Sequence, residues 1–169
     1  MVIGGTNTAG TLTVLRSADS GRTWTASRTY SEPDAQTLQL SCRDGRQCML
    51  VSDTGYLVRA TATAGGSVTV RRQPLPGVGS QSVGTAVSCA TASHCFVAAY
   101  GGSSGDALIE ATHDGGRTWE SLALPKVGGE PLTEVALLGC PSRAGCLGLA
   151  ATSSQEDSGQ DRVLISDLP

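Results

Sequence analysis

Six cysteines are the residues of this chain best spaced for chemistry. They fall into three pairs, Cys42 and Cys48, Cys89 and Cys95, and Cys140 and Cys146, and each pair encloses five residues. Three chemistries suit such pairs: disulfides, buried free thiols, or half of a metal site. Directly opposed residues of an antiparallel hairpin lie about 4.5–5.5 Å apart at Cα, a separation that a disulfide can bridge. Five intervening residues are too many for a usual zinc knuckle, and no histidine pattern accompanies them. His94 and His113 fall in stretches that read as turns, so they read as surface turn residues. The spacing thus favours disulfides, each worth about 2–2.5 kcal/mol of chain entropy. Regular disulfides imply an oxidising compartment, extracellular or at the cell surface. Neither a metal nor a cofactor is expected.

Two aspartates form the second candidate set. Ser17-Ala18-Asp19-Ser20-Gly21-Arg22-Thr23-Trp24 and Thr112-His113-Asp114-Gly115-Gly116-Arg117-Thr118-Trp119 share the pattern Ser/Thr-x-Asp-x-Gly-x-Thr-Trp, and both tryptophans of the chain close it. A carboxylate in a fixed setting could act as an acid or a nucleophile. Turn chemistry accounts for the pattern without catalysis. The Asp side chain accepts hydrogen bonds from backbone N–H groups of its own turn. Gly21 and Gly116 reach backbone angles closed to most residues. Thr23 and Thr118 add a hydroxyl and a β-branched strand start, and Trp24 and Trp119 can bury a ring between layers. The two motifs are therefore read as structural, with no catalytic residue assigned.

The aspartates stand 95 residues apart, and the first members of the cysteine pairs 47 and then 51 apart. Repeats of about 40–50 residues are the period of propeller blades, so one copy of the motif has decayed. Tyr56-Leu57-Val58-Arg59-Ala60-Thr61 matches Ala107-Leu108-Ile109-Glu110-Ala111-Thr112, and Thr69-Val70 stands for Thr118-Trp119. Asp and Gly have become Gly65 and Ser67. Each unit reads as four short strands. Strand A ends at the first Cys, strand B starts at the second, strand C runs into the Asp turn and strand D starts at Thr-Trp. Short β-rich runs broken by Gly, Asp and Ser predict an all-β fold.

The repeat resembles the Asp-box, or BNR, repeat of sialidase-like β-propellers, and is similar to that of photosystem assembly-factor propellers, which are non-enzymatic. The resemblance implies a secreted WD40/YVTN/BNR-like repeat protein, in which the box is a folding motif remote from any active site. The expected domain is one incomplete propeller over 1–169, about three and a half blades: a partial blade at 1–30, a blade with a degenerate box at 31–76, a blade at 77–125 and a partial blade at 126–169. Its strand pattern is 3-4-4-3. The chain opens inside a blade and closes on a strand C, which reads as a piece of a larger propeller. A compact ring of four units is the competing arrangement.

Sialidase chemistry needs an arginine cluster for a sugar carboxylate and a Tyr nucleophile with an acid neighbour. The family's Arg-Ile-Pro motif is absent, Arg22 and Arg117 lie inside the boxes, and Tyr30, Tyr56 and Tyr100 have no recognisable acid partner motif. In a four-stranded meander the cysteine hairpins and boxes share one rim. The other rim is built from loops 4–10, 29–37, 52–55, 76–83, 100–106, 125–132 and 152–161, which carry Glu32, Asp34, Asp53, Asp106, Glu130, Glu156, Asp157 and Asp161. Loops on a rigid scaffold are where binding usually sits.

Composition narrows the classes further. The chain has 169 residues, 39% of them hydrophobic but 4% aromatic, so Val, Leu and Ala must fill its core. A net charge of −3 gives no nucleic-acid footprint. No apolar run approaches the roughly 18 residues of a membrane span, and no signal peptide precedes the first strand. The expected function is a non-catalytic binding or scaffold module with a protein or glycan ligand, whose outer faces meet remaining blades or a second copy. The alternative is a fragment of a sialidase-like or other Asp-box glycoside hydrolase with its catalytic residues outside this chain.

Overall fold

A computed structural model describes residues 2–6, 11–31, 38–43, 45–64, 67–77, 83–101, 105–142, 145–152 and 162–166. Fourteen strands form four antiparallel sheets of three, four, four and three strands, and no helix occurs among the described residues. The first sheet holds β1 (Val2–Thr6), β2 (Thr11–Arg16) and β3 (Thr25–Ser31). The second holds β4 (Leu38–Cys42), β5 (Gln47–Ser52), β6 (Tyr56–Ala62) and β7 (Val68–Pro74). The third holds β8 (Val83–Cys89), β9 (Cys95–Tyr100), β10 (Ala107–Thr112) and β11 (Glu120–Leu122). The fourth holds β12 (Leu132–Ser142), β13 (Gly145–Thr152) and β14 (Arg162–Ser166). Each sheet is a meander, with every strand paired to its neighbour in sequence.

The sheets stack in chain order. β1 lies against β4, β4 and β5 lie against β8, and β8, β9 and β10 lie against β12. The first strands of the second, third and fourth sheets therefore run side by side. Both inner sheets are covered on both faces, which explains the unbroken apolar runs Cys48–Val51 and Cys95–Ala99, all buried. Three cores result. Val14 packs with Leu50, Val58 and Ala60 between the first two sheets. Met49, Val51, Leu57, Val87 and Val97 fill the second gap, and Phe96, Ile109, Val135 and Ala150 the third. The row is open: no extensive strand contact joins the first sheet to the fourth among the described residues. The competing four-unit ring is thus not the observed arrangement.

Close approach of the inner strands needs small residues. A Cβ on Gly84 would overlap the Val51 side chain and lie 2.9 Å from the Ser52 carbonyl oxygen of the second sheet. The contact is fastened by a repeated hydrogen bond. The Cys89 N–H donates to Ser41 Oγ at 3.0 Å, and one sheet further on the Cys140 N–H donates to Ser88 Oγ at 2.9 Å. In each case the serine immediately before one sheet's first cysteine caps the first cysteine of the next.

Candidate functional site

The two Asp-boxes fold the same way, because the same hydroxyls and carboxylates close them. Ser17 Oγ donates to Asp19 Oδ1 at 2.8 Å and accepts the Gly21 N–H at 2.7 Å. Asp19 accepts the Thr23 N–H at 2.9 Å and the Thr23 hydroxyl at 2.6 Å. In the second box Thr112 Oγ1 donates to Asp114 at 2.9 Å and accepts the Gly116 N–H at 2.8 Å. Asp114 takes the Arg117 N–H at 2.8 Å, the Thr118 N–H at 2.9 Å and the Thr118 hydroxyl at 2.7 Å. Trp24 Nε1 donates to the Gly21 carbonyl at 3.0 Å and Trp119 Nε1 to that of Gly116 at 3.3 Å. Gly21 and Gly116 take φ of 90° and 87°, a region open to glycine and to few other residues.

These donors set the ionisation of both carboxylates. The Thr23 hydroxyl, then its N–H and the Ser17 hydroxyl, bring Asp19 from the ordinary 3.8 down to about 2. The Thr118 N–H and hydroxyl hold Asp114 well below the usual carboxylate range. An acid catalyst needs the opposite shift. At neutral pH each box carboxylate is a charged acceptor occupied by its own turn.

The three cysteine pairs are joined as Cys42–Cys48, Cys89–Cys95 and Cys140–Cys146, with S–S distances of 2.02, 2.11 and 2.08 Å. The first two pairs are directly opposed across their hairpins. They sit on the same rim as the boxes. The Gly115 N–H donates to the Ser93 carbonyl at 2.9 Å, which ties the second box to the Cys89–Cys95 hairpin. In the second sheet the Ala62 N–H donates to the Arg46 carbonyl at 2.7 Å. This all-β scaffold with three cysteine bridges fits an oxidising environment.

Compared with known proteins, the chain matches no family model and no curated sequence.

Several expectations are corrected by the geometry. Strand D does not start at Thr-Trp: β3 and β11 begin at Thr25 and Glu120, one residue past each Trp. The Thr N–H is spent on the Asp carboxylate, and the indole turns back onto its own box glycine. The tryptophans are also unequal. Trp119 packs against the core between the second and third sheets, but Trp24 is 44% exposed. No sheet covers the corresponding side of the first box among the described residues. The decayed copy is offset by one residue: Cys95 faces Thr112, whereas Cys48 faces Ala60 rather than Thr61. Its β6–β7 hairpin continues to Ala62 and Val68, and Thr63 Oγ1 meets Ser67 Oγ at 2.7 Å where the other turns have a carboxylate. Gly65 lies outside the described residues.

Of the opposite-rim acids, Glu32, Asp34, Glu156, Asp157 and Asp161 lie outside the described residues. Asp53, Asp106 and Glu130 are described, and no group of three or more His, Cys, Asp or Glu suited to a metal forms among the described residues. The Tyr56 ring is covered by the Arg72 guanidinium, 3.5 Å from its centroid. The Tyr30 side chain is outside the described set, and Tyr100 ends β9. The two histidines come together at the box rim: the rings of His94 and His113 lie edge to face at 4.5 Å, and His113 Nε2 is 2.7 Å from Glu120 Oε1.

Two features were not visible in the residue pattern. Glu110 is buried, bonded by the Ser121 hydroxyl and roofed by Gly77. The other is a polar groove of about 500 Å³ between the outer strands of the second sheet and the second box. Arg59 Nη1 donates to the Gly115 carbonyl there at 2.8 Å, and Gln73 Nε2 to that of Gly116 at 3.2 Å. One sequence signal could have found it: Arg59 and Arg71 are equidistant from the β6–β7 turn, and so face each other.

Proposed function

We propose that this chain is a non-catalytic Asp-box β-propeller segment, extracellular or on the cell surface, that serves as a binding or scaffold module. Each meander sheet is read as a blade. The observation that carries the reading is the alignment of first strands β4, β8 and β12, fastened by Ser41 to Cys89 and by Ser88 to Cys140. Blades arranged round an axis bring their innermost strands together in this way. The occupied box carboxylates and the shielded Tyr56 ring support a role without catalysis.

The terminal sheets support association. Leu137 and Leu147 of the fourth sheet are 62% and 52% exposed, and Trp24 projects from the first. Apolar faces of this kind drive contact with further blades or a second copy. Light scattering on the oxidised chain is expected to show concentration-dependent association; a monodisperse monomer at all concentrations overturns that part. Incubation with fluorogenic glycosides, a sialoside included, is expected to release no product. Turnover that survives repurification overturns the non-catalytic reading.

A further inference from the structure

We propose that the groove between the second sheet and the second Asp-box binds a tetrahedral oxyanion, a sulfate or phosphate ester group, on a small polar ligand. Three arginines line it from two sides: Arg59 of β6 and Arg71 of β7 from the second sheet, and Arg117 from the box turn of the third. Arg59 and Arg71 are directly opposed across the strand pair. Like charges in that register oppose pairing, and an anion bound between them adds attractions that offset the repulsion. Neither Arg71 nor Arg117 has a side-chain ion pair or hydrogen bond among the described residues. Among the described residues no acidic side chain lines the groove, in a chain whose net charge is −3.

Two of the donors are held in place before any ligand arrives. Arg59 is anchored on the Gly115 carbonyl through one nitrogen, which leaves the rest of its fork for an anion. Gln73 is anchored on the adjacent Gly116 carbonyl. Thr61 adds a hydroxyl at the turn end of the groove, and its directly opposed neighbour Thr69 donates its own to the Thr61 carbonyl at 3.4 Å. A single guanidinium fork matches a planar carboxylate. Three guanidinium groups on two facing walls offer donors to more than the two oxygens of a carboxylate, which suits the spread oxygens of a tetrahedral anion. A volume of about 500 Å³ falls within the usual range for small-molecule sites. The lining contains no aromatic ring among the described residues, which suits a ligand whose remainder is polar and of saccharide size. The proposal deepens the binding role argued above and does not depend on how the sheets close.

The test is calorimetric titration of the oxidised full chain with glucose 6-sulfate, glucose 6-phosphate and glucose. Trp119 fluorescence in a Trp24→Phe background gives a second readout, since this ring lies 3.4 Å from a Cβ placed on Gly116 at the groove wall. At least one ester is expected to saturate the site while glucose does not. Arg71→Ala and Arg117→Ala are each expected to weaken binding by about tenfold, the loss of one charge-assisted contact, and the double variant to abolish it. Both side chains are exposed, so the melting temperature should hold. A phosphate ester loses affinity as pH falls through about 6 and a sulfate ester does not, which separates the two sources. The proposal is overturned if neither ester saturates the wild-type chain, if glucose binds equally well, or if the double variant binds undiminished. Any of these leaves the non-catalytic reading standing, whereas glycoside turnover would sink that reading and not this one.

Discussion

Replacing Ser88 by alanine removes the hydroxyl that accepts the Cys140 N–H at 2.9 Å. Cys140 is 5% exposed, so water has little access to the orphaned donor. An unpaired buried N–H costs about 1–3 kcal/mol. With a urea slope of about 2 kcal/mol/M for a protein of this size, Ser88→Ala is expected to lower the unfolding midpoint by about 0.5–1.5 M. Ser41→Ala should behave alike, because Cys89, its partner, is 8% exposed. Thr85→Val, three residues earlier on the same strand, is the control. Thr85 Oγ1 is buried with no hydrogen-bond partner among the described residues and sits at the register shift between Gly84 and Ala86. Replacing it with a methyl of similar shape should leave stability unchanged or raise it by up to about 1 kcal/mol. Urea unfolding followed by circular dichroism, with all cysteines oxidised, compares the three. If Ser88→Ala costs no more than Thr85→Val, the serine bonds do not hold the sheets together and the argument for aligned inner strands loses its support.

Non-reducing peptide mapping should recover the three hairpin bridges, and Cys89→Ala with Cys95→Ala should lower stability by about 2.4 kcal/mol, the chain-entropy value for a loop of about seven residues; a loss under about 0.5 kcal/mol contradicts it. Asp19, lowered to about 2 from 3.8, contributes stability that is fully present above about pH 4 and is lost as pH falls towards 2. Asp114 is lowered for the same reason, so melting temperature should fall across that window, and Asp19→Asn with Asp114→Asn should flatten the fall. An acid limb unchanged by the double substitution means that other carboxylates govern it. Ser20 holds a φ of 59° where the second box has Gly115 at 75°. The left-handed cost of about 1–2 kcal/mol for a non-glycine residue exceeds the entropy cost of glycine, so Ser20→Gly should raise stability by about 0.5–1 kcal/mol in thermal melts. Destabilisation would show that the Ser20 side chain holds the turn.

What the sequence disclosed was local. A cysteine pair enclosing five residues fixes a hairpin and its register, and Cys42 does face Cys48 and Cys89 does face Cys95. The third pair deviates: β12 and β13 shift register between Gly139 and Ser142. The box pattern disclosed the Asp carboxylate accepting N–H groups of its own turn, because these partners lie within four residues of it; the bonds of the Ser17 and Thr112 hydroxyls and of the indoles were added by the structure. The missed features join distant segments. Arg59 and Gly115 are 56 residues apart and Ser88 and Cys140 are 52, so those bonds depend on how sheets pack. The exposure of Trp24 has the same origin, since burial of a box tryptophan is decided by the neighbouring sheet.

The repeat itself shows where to look for what is particular to this chain. By register, Arg59 and Arg71 of the second sheet occupy the place of Ala111 and Glu120 in the third and of Arg16 and Thr25 in the first. The arginine pair thus belongs to the unit whose box has decayed. That unit kept its hairpin by lengthening it and by closing the turn with Thr63 and Ser67. The longer hairpin moves β7 along the outer edge of its sheet, where twist makes adjacent sheets diverge and polar side chains can stay solvated. Near the inner strands, by contrast, Gly84 and the serine bonds leave no room for a ligand. A strict repeat has the same chemistry in every gap between sheets. Here the gap between the second and third sheets differs, with two cations on the altered hairpin facing an intact box whose carbonyls hold Arg59 and Gln73. The departure from the repeat, rather than the repeat, sets the chemistry of this gap apart, and the proposed oxyanion site rests on that departure.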